Sequence, residues 1–228
     1  MDFPMQKYTT EQLLNVLNEI EKMHAPEYLY VSGNIDVFRK GGRVAVIGSR
    51  KATKLGRWRA AKLVKLLVDK GIVVVSGLAN GIDTIAHETA INYKGKTIAV
   101  LGTPLDKNYP FKNAKLQKLI MTDYIAVSQF SVGSSIQQSN FPARNRTMAL
   151  LSDVSIIVEA GAFSGCRSQG WETLRLGHPL FLLQSLINNA SFEWPRKMIE
   201  CGAQVLSDDT IDSLFAQIPK RYVENMEY

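Results

Sequence analysis

Short apolar runs recur along the chain at Val44–Ile47, Ile72–Val75, Thr97–Leu101, Tyr124–Val127, Val154–Val158 and Leu180–Leu183. Most are β-branched and apolar on both faces, as strands of a parallel sheet covered on both sides must be. Between them, Arg57–Asp69, Ile82–Tyr93 and Trp171–Leu176 place apolar residues at helical spacing. Strand–helix alternation of this kind predicts an α/β fold built on a doubly wound, mainly parallel sheet with right-handed crossovers. Near the start, Thr9 and Gln12 read as a capping box, and Leu13, Leu14, Val16, Leu17 and Ile20 predict one amphipathic helix over Thr9–Met23, ending before Pro26. Tyr28–Val31 reads as a short edge strand. Beyond Val205 there is room for one more helix, about Asp208–Ala216, and a polar tail. The resulting division is a short N-terminal helical segment (1–30), one core domain (31–206), and a C-terminal helix and tail (207–228). No internal repeat or long linker interrupts it.

Composition narrows this picture. The chain has 228 residues, 46% of them hydrophobic, enough for one substantial core. No apolar run approaches the roughly 20 residues that span a bilayer, and Met1-Asp2-Phe3-Pro4 lacks the basic flank and apolar stretch of a secretion signal. Cys166 and Cys201 are the sole cysteines, too few for a zinc pattern or a disulfide framework. A cytoplasmic protein without a structural metal is expected. The net charge is +6, but its placement says more. Eleven Lys and Arg against one acid, Asp69, lie between Phe38 and Lys70, and six Lys against one acid, Asp106, between Lys94 and Lys118. Both ends of the chain are net acidic. A basic first half of the core domain points to a polyanion partner, although Lys62 and Lys65, at helical spacing with Asp69, read simply as a solvated face.

In doubly wound sheets, ligands bind beyond the carboxyl ends of the strands, near the point where strand order reverses. Gly48-Ser49-Arg50 follows the first core strand. Gly48 would allow close backbone approach, the N–H groups of the turn and of the next helix favour an anion, and Arg50 offers a planar fork suited to phosphate. The dinucleotide fingerprint is missing, since the next glycine is Gly56 and no acid closes the second strand. The lysine-bearing triphosphate loop is missing too. No cofactor is therefore expected. Gly77 and Gly81 bracket the second strand-to-helix turn. Asp83 and His87, four apart on the following helix, could form a catalytic or metal pair, but no third partner is visible and both read as structural. Lys107, Lys112 and Lys115 alternate with Tyr109 and Phe111, a composition suited to a groove that tracks phosphates and stacks bases. In Phe141-Pro-Ala-Arg-Asn-Arg146, Pro142 suits a first helical turn. Arg144 and Arg146 are two apart and so point to nearly opposite sides of a helix: one is expected to face a ligand and the other to make an internal salt bridge.

Four of these segments in this order resemble the DprA/Smf family: Gly48–Arg50, Ser76-Gly-Leu-Ala-Asn-Gly-Ile-Asp-Thr-Ile-Ala-His87, Leu105-Asp-x-x-Tyr-Pro110 and Phe141–Arg146. The resemblance covers about Gly42 to Pro179. It implies an extended Rossmann-like fold, dimers, a basic pocket for single-stranded DNA at the strand ends, help in loading a RecA-type recombinase, and no enzymatic activity. It implies that Arg50 and the lysines near Tyr109-Pro110 contact phosphates. The expected binding set is Gly48, Ser49, Arg50, Lys51, Gly77, Gly81, Lys107, Phe111, Lys112, Lys115, Arg144, Arg146, Ser164, Gly165 and Arg167. The chain departs from the family at Ser128-Gln129, where the family has Ser-Glu, and at Ser164–Glu172, where Arg167 and Gln169 replace a leucine and a threonine. Arg167 then falls in the first turn of a helix, where a bound anion would offset its clash with the helix dipole. The alternative reading is a nucleotide sensor or nucleotide-processing hydrolase, with Arg167, Gln169 and Glu172 lining a pocket and Glu172 as the acid. A scaffold without any ligand leaves the glycine turns and the basic bias unexplained.

Overall fold

The computed structural model describes residues 4–14, 16–39, 41–161, 164–189 and 191–219. In chain order the elements are β1 (Met5–Thr9), α1 (Thr10–Leu14), α2 (Glu19–His24), β2 (Tyr28–Gly33), α3 (Asp36–Arg39), β3 (Arg43–Gly48), α4 (Lys54–Asp69), β4 (Val73–Ser76), α5 (Ile82–Asn92) and β5 (Thr97–Leu101). A short 3-10 turn (Phe111–Asn113) leads into α6 (Ala114–Asp123), followed by β6 (Ile125–Ser128), α7 (Asn140–Leu150), β7 (Val154–Glu159), α8 (Cys166–Arg175) and β8 (Leu180–Leu183). The described chain closes with α9 (Gln184–Ile187), α10 (Trp194–Glu200), β9 (Gln204–Leu206) and α11 (Ile211–Ala216). The strands form a nine-stranded sheet in the order β1-β2-β6-β5-β4-β3-β7-β8-β9. The β1–β2 and β2–β6 pairs are antiparallel and all other neighbours are parallel, as expected for a doubly wound, mainly parallel sheet.

The chain lays down β3 to β6 toward one edge, then returns to place β7 against the other side of β3 and continues outward to β9. The order therefore reverses between β3 and β7, and the helices after these two strands cover opposite faces. Val44 and Val46 of β3 pack with Ala60, Leu63, Val64 and Leu67 of α4. Their neighbours Ala45 and Ile47 belong to the opposite layer, with Met148 of α7 and Met198 of α10. A strand buried this way on both faces has no polar side, which is why β3 reads as a continuous apolar run. A third cluster, around Leu101, Ile120 and Ala126, seals α6 against β5 and β6.

The N-terminal reading needs correction. The capping box exists, with Thr9 N donating to Gln12 Oε1 at 2.7 Å and Gln12 N to Thr9 Oγ1 at 3.2 Å. The helix it starts stops at Leu14. Asn18 caps a separate helix, accepting from Glu21 N at 2.9 Å while the Glu21 carboxylate accepts from Asn18 N at 2.7 Å. A local side-chain cap of this kind competes with helix continuation, and here it wins. Val16 is 89% exposed, so the apolar positions do not form one stripe. Nor is Tyr28–Gly33 an edge strand: β1 lies outside it and extends the same sheet. The last helix begins at Ile211. Residues 220–228 of the expected tail lie outside the described residues, as does Lys40 of the first basic cluster. Among the described residues no helix is long and apolar enough to cross a membrane.

Candidate functional site

The carboxyl ends of β3 and β7 are tied together where the strand order reverses. Register slips between Ile47 and Gly48, so that Gly48 faces Glu159. Ser49 N donates to Glu159 O at 2.7 Å, and Ile82 N at the start of α5 donates to Ser49 O at 3.2 Å. Gly48 is required by this packing, because a Cβ there would lie 2.6 Å from Ile82 Cγ1 and 2.7 Å from Glu159 O. Above the seam opens a cleft of about 570 Å³. Gly48, Ser49, Arg50 and Lys51 line one side of it, Phe141, Arg144 and Asn145 of α7 another, and Ser164, Gly165, Ser168 and Gln169 a third. A smaller recess beside it brings in Gly77, Tyr109 and Pro110 next to Arg50, Phe141 and Arg144.

Two carboxylates each take one backbone N–H beside the starts of α4 and α5. Glu159 accepts from Thr53 N at 2.9 Å and from Thr53 Oγ1 at 2.5 Å, while Thr53 caps α4 through Gly56 N at 2.9 Å. Asp83 accepts from Ala79 N, at 3.3 Å, in the turn that enters α5. The anion favoured at these helix starts is thus supplied by the protein itself.

Asp83 and Arg144 form the floor. Arg144 is buried, its Nη1 donating to Gly77 O at 2.6 Å and Val100 O at 2.8 Å and its Nε to Asn145 Oδ1 at 3.1 Å. Gly77 makes room for this: a Cβ on it would lie 2.2 Å from Arg144 Nη1 and 2.8 Å from Asp83 Oδ2. Burial pushes the Asp83 carboxyl up, against the pull of the Arg144 and Arg50 charges, and burial likewise lowers the Arg144 guanidinium. With Arg144 buried and spent on backbone carbonyls, the charge facing solvent at the mouth comes from Arg50 and Lys51, both exposed. The Arg50 guanidinium lies 5.6 Å from the Phe141 ring centroid, and the Phe141 and Tyr109 rings are 5.2 Å apart, tilted by 46°. A cation and two aromatic rings therefore stand in a row along the rim.

Of the expected binding residues, Gly48, Ser49, Arg50, Lys51, Arg144, Ser164 and Gly165 meet at the cleft, and Gly77 at the adjoining recess. Gly81 stands behind Arg50 at φ +83°, where a Cβ would come within 2.2 Å of Ser49 O. Lys107, Phe111, Lys112 and Lys115 lie on the strip beyond Tyr109, off the cleft. Lys107 is 3.5 Å from Asp106, Phe111 is 82% exposed, and Lys112 and Lys115 face solvent. The two arginines of α7 divide as their spacing predicts. Arg144 turns to the cleft, and Arg146 Nε lies 3.2 Å from Glu172, which also receives Arg175 at 2.9 Å. Arg167 does fall in the first turn of α8, but its guanidinium rests 5.9 Å from the Trp194 ring centroid and is not on the cleft wall. Gln169 alone of the alternative triad lines the cleft, and Glu172 is committed to two arginines. Phe141 and Tyr109 were visible in the sequence as members of motifs, but their joint position depends on α7 crossing the end of β5, which no local pattern encodes.

His87 is wholly buried beneath the site. Its Nδ1 is 2.7 Å from Thr97 Oγ1, which itself donates to Val74 O at 2.9 Å, so the ring donates from Nδ1. Burial, helped by the Arg144 charge, lowers its pKa from 6.5 to about 3. Between these values the unfolded chain binds a proton that the folded one refuses. Stability should therefore fall with acidification below pH 6.5, by about 1.4 kcal/mol per unit once well below it. In His87→Asn, whose amide can replace the Nδ1 donor, that part of the slope should vanish. Urea melts of both proteins between neutrality and mild acid test this, and parallel losses would refute it.

A doubly wound sheet with a cationic, aromatic-rimmed cleft at its switch point belongs to the Rossmann-like class of anion-binding folds. The family model of DNA recombination-mediator protein A matches residues 4–218, and the chain belongs to that family. It is 37% identical over 183 residues to the DNA processing protein DprA of Streptococcus pneumoniae, covering 80% of this chain and 64% of that protein. The X-ray structure of the S. pneumoniae protein superposes with a TM-score of 0.80 at 31% identity, over 96% of this chain and 75% of that one. A Helicobacter pylori DNA processing protein A, whose structure concerns its single-stranded DNA binding mode, superposes equally well, with a TM-score of 0.80 at 28% identity over 95% of this chain and 98% of that one.

Proposed function

We propose that the chain binds single-stranded DNA across the cleft, by phosphate contacts and base stacking, without chemistry of its own. The observation that carries this is the rim: exposed Arg50 and Lys51 beside Phe141 and Tyr109, above a buried Arg144 already engaged by Gly77 O and Val100 O. Cations that track phosphates next to rings that stack bases suit a polymer better than a mononucleotide. We assign phosphate contact first to Arg50 and Lys51, with Ser49, Ser164 and Gly165 lining the path, and Lys107, Lys112 and Lys115 extending it past Tyr109. Arg167 and Arg146 take lesser parts in this reading, being engaged with Trp194 and Glu172. The nucleotide-hydrolase alternative loses its acid, since Glu172 holds two arginines away from the cleft wall. A homodimer, a RecA-type recombinase partner and a cytoplasmic location complete the proposal; they rest on family membership.

Fluorescence anisotropy with oligo-dT, duplex DNA and free nucleotides tests it. Oligo-dT should bind tightest. Each neutralised phosphate of a single strand should contribute about −0.7 to the slope of log affinity against log salt, so two to four contacts give roughly −1.5 to −3. Oligo-dT binding that is undetectable at low salt, or that ignores salt, rules the proposal out. Light scattering with and without DNA reads the dimer.

A further inference from the structure

The face of α4 turned away from the sheet holds an unspent aromatic. The helix buries Gly56, Ala60, Leu63, Val64 and Leu67, and leaves Trp58 60% and Leu55 52% exposed on its other side. Tryptophan is buried for most of its area in most proteins, and an indole this open gives up a large apolar contact. It stands in an unbroken cationic field. Arg50, Lys51, Lys54, Arg57, Arg59 and Lys62 surround it in sequence, and no Asp or Glu occurs between Arg50 and Val68. Lys62 Nζ lies 5.8 Å from the Trp58 ring centroid. Its acidic neighbour Asp208, at 3.2 Å, has a side chain that is 94% exposed, and a pair so open is weak and readily screened.

Position links this face to the cleft. The helix starts at the carboxyl edge of the sheet, where Thr53 is held by Glu159, and runs away from it. Trp58 is five residues past that cap, about 7 Å along the axis. It therefore stays beside the mouth guarded by Arg50 and Lys51, with Lys54 and Arg57 between. Aromatic rings interleaved with exposed cations form a base-stacking platform on an electrostatic track.

We propose that a DNA strand leaving the cleft continues over the outer face of α4, one base stacking on Trp58 while its phosphates meet Lys54 and Arg57. This second subsite rests on the reading of the cleft as a single-strand site. Oligo-dT of about four and about twenty nucleotides separates the two claims, the shorter filling the cleft and the longer reaching α4. With the full chain, Trp58→Ala should weaken the longer oligomer by about tenfold and leave the shorter unchanged, and Trp58→Phe should restore most of the loss. The longer oligomer should also quench the tryptophan emission of the parent protein and not that of Trp58→Ala, because Trp194 is buried, at 5% exposure, and Trp171 is half-buried against the core, while Trp58 is open. Lys54→Ala with Arg57→Ala should flatten the salt slope of the longer oligomer by about one to two units. If Trp58→Ala leaves the longer oligomer's affinity intact while the shorter still binds, the α4 subsite is wrong and the cleft stands. If that variant instead changes the molar mass in light scattering with DNA affinity intact, the face is a contact between copies and the inference fails. If neither oligomer binds the unaltered protein, both readings fall.

Discussion

Arg144→Ala should destabilise the fold by about 3–5 kcal/mol, the cost of leaving several buried acceptors without their charged donor. Three acceptors lose their donor at once: Gly77 O, Val100 O and Asn145 Oδ1. Asp83, already pushed toward its neutral form by burial, loses an opposite charge in the same step. For a chain of this length the melting temperature should drop by roughly 10 °C. Lysine should rescue poorly, since one ammonium cannot reproduce a fork that reaches two carbonyls and an amide. Removing both charges should cost less than the Arg144 change alone. In Arg144→Met with Asp83→Asn no uncompensated charge remains, and the double-mutant cycle should show a coupling of about 1–3 kcal/mol. Urea denaturation reads all four corners. A single-variant loss under about 1 kcal/mol would mean that Arg144 is not the keystone of the cleft floor.

Arg50→Ala should have the opposite profile. Arg50 is exposed and touches the Phe141 ring from outside, so stability should stay within about 0.5 kcal/mol. Binding should suffer. A charge-assisted contact to a phosphate is worth roughly 1.5–3 kcal/mol, so affinity for oligo-dT should fall at least about tenfold. The salt slope should shrink by about one unit. Arg146→Ala, two residues beyond Arg144, provides the contrast. Its guanidinium is taken up by Glu172, and its loss should change affinity far less. An Arg50→Ala protein that binds as well as the parent would move the site elsewhere.

The parallel strands inside the sheet were legible because burial on both faces leaves nothing else for the sequence to be, whereas the short, half-buried parallel strand β9 at the far edge was not foreseen. Thr97–Leu101 and Leu180–Leu183 match the predicted runs residue for residue, and the others differ only at their ends. β1 was not legible: Met5–Thr9 is an exposed edge whose sheet partner, among the described residues, is β2, so its conformation is decided by pairing and not by its own pattern. The Thr9–Met23 segment has helix-compatible spacing throughout, and only the competing cap at Asn18 breaks it. At the site, the Gly48–Arg50 turn announced itself because a glycine and an arginine at a strand end carry chemical meaning by type. The roles of Gly48 and Gly77 did not follow from type. Both serve the protein's own side chains, Ile82 and Arg144, which lie far along the chain.

The helices α4 and α5, which follow β3 and β4, both start beside a resident carboxylate, α4 beside Glu159 and α5 beside Asp83. In many nucleotide-binding relatives of this architecture an open helix start is the bait, and a single pyrophosphate satisfies it. Here a lone nucleotide would meet a resident carboxylate beside each of these two helix starts. Attraction is left to side chains on the rim, where each phosphate gains little by itself and many in succession gain a great deal. On the single-strand reading proposed above, a lone nucleotide should therefore bind weakly, and affinity should grow with the number of phosphates in the ligand.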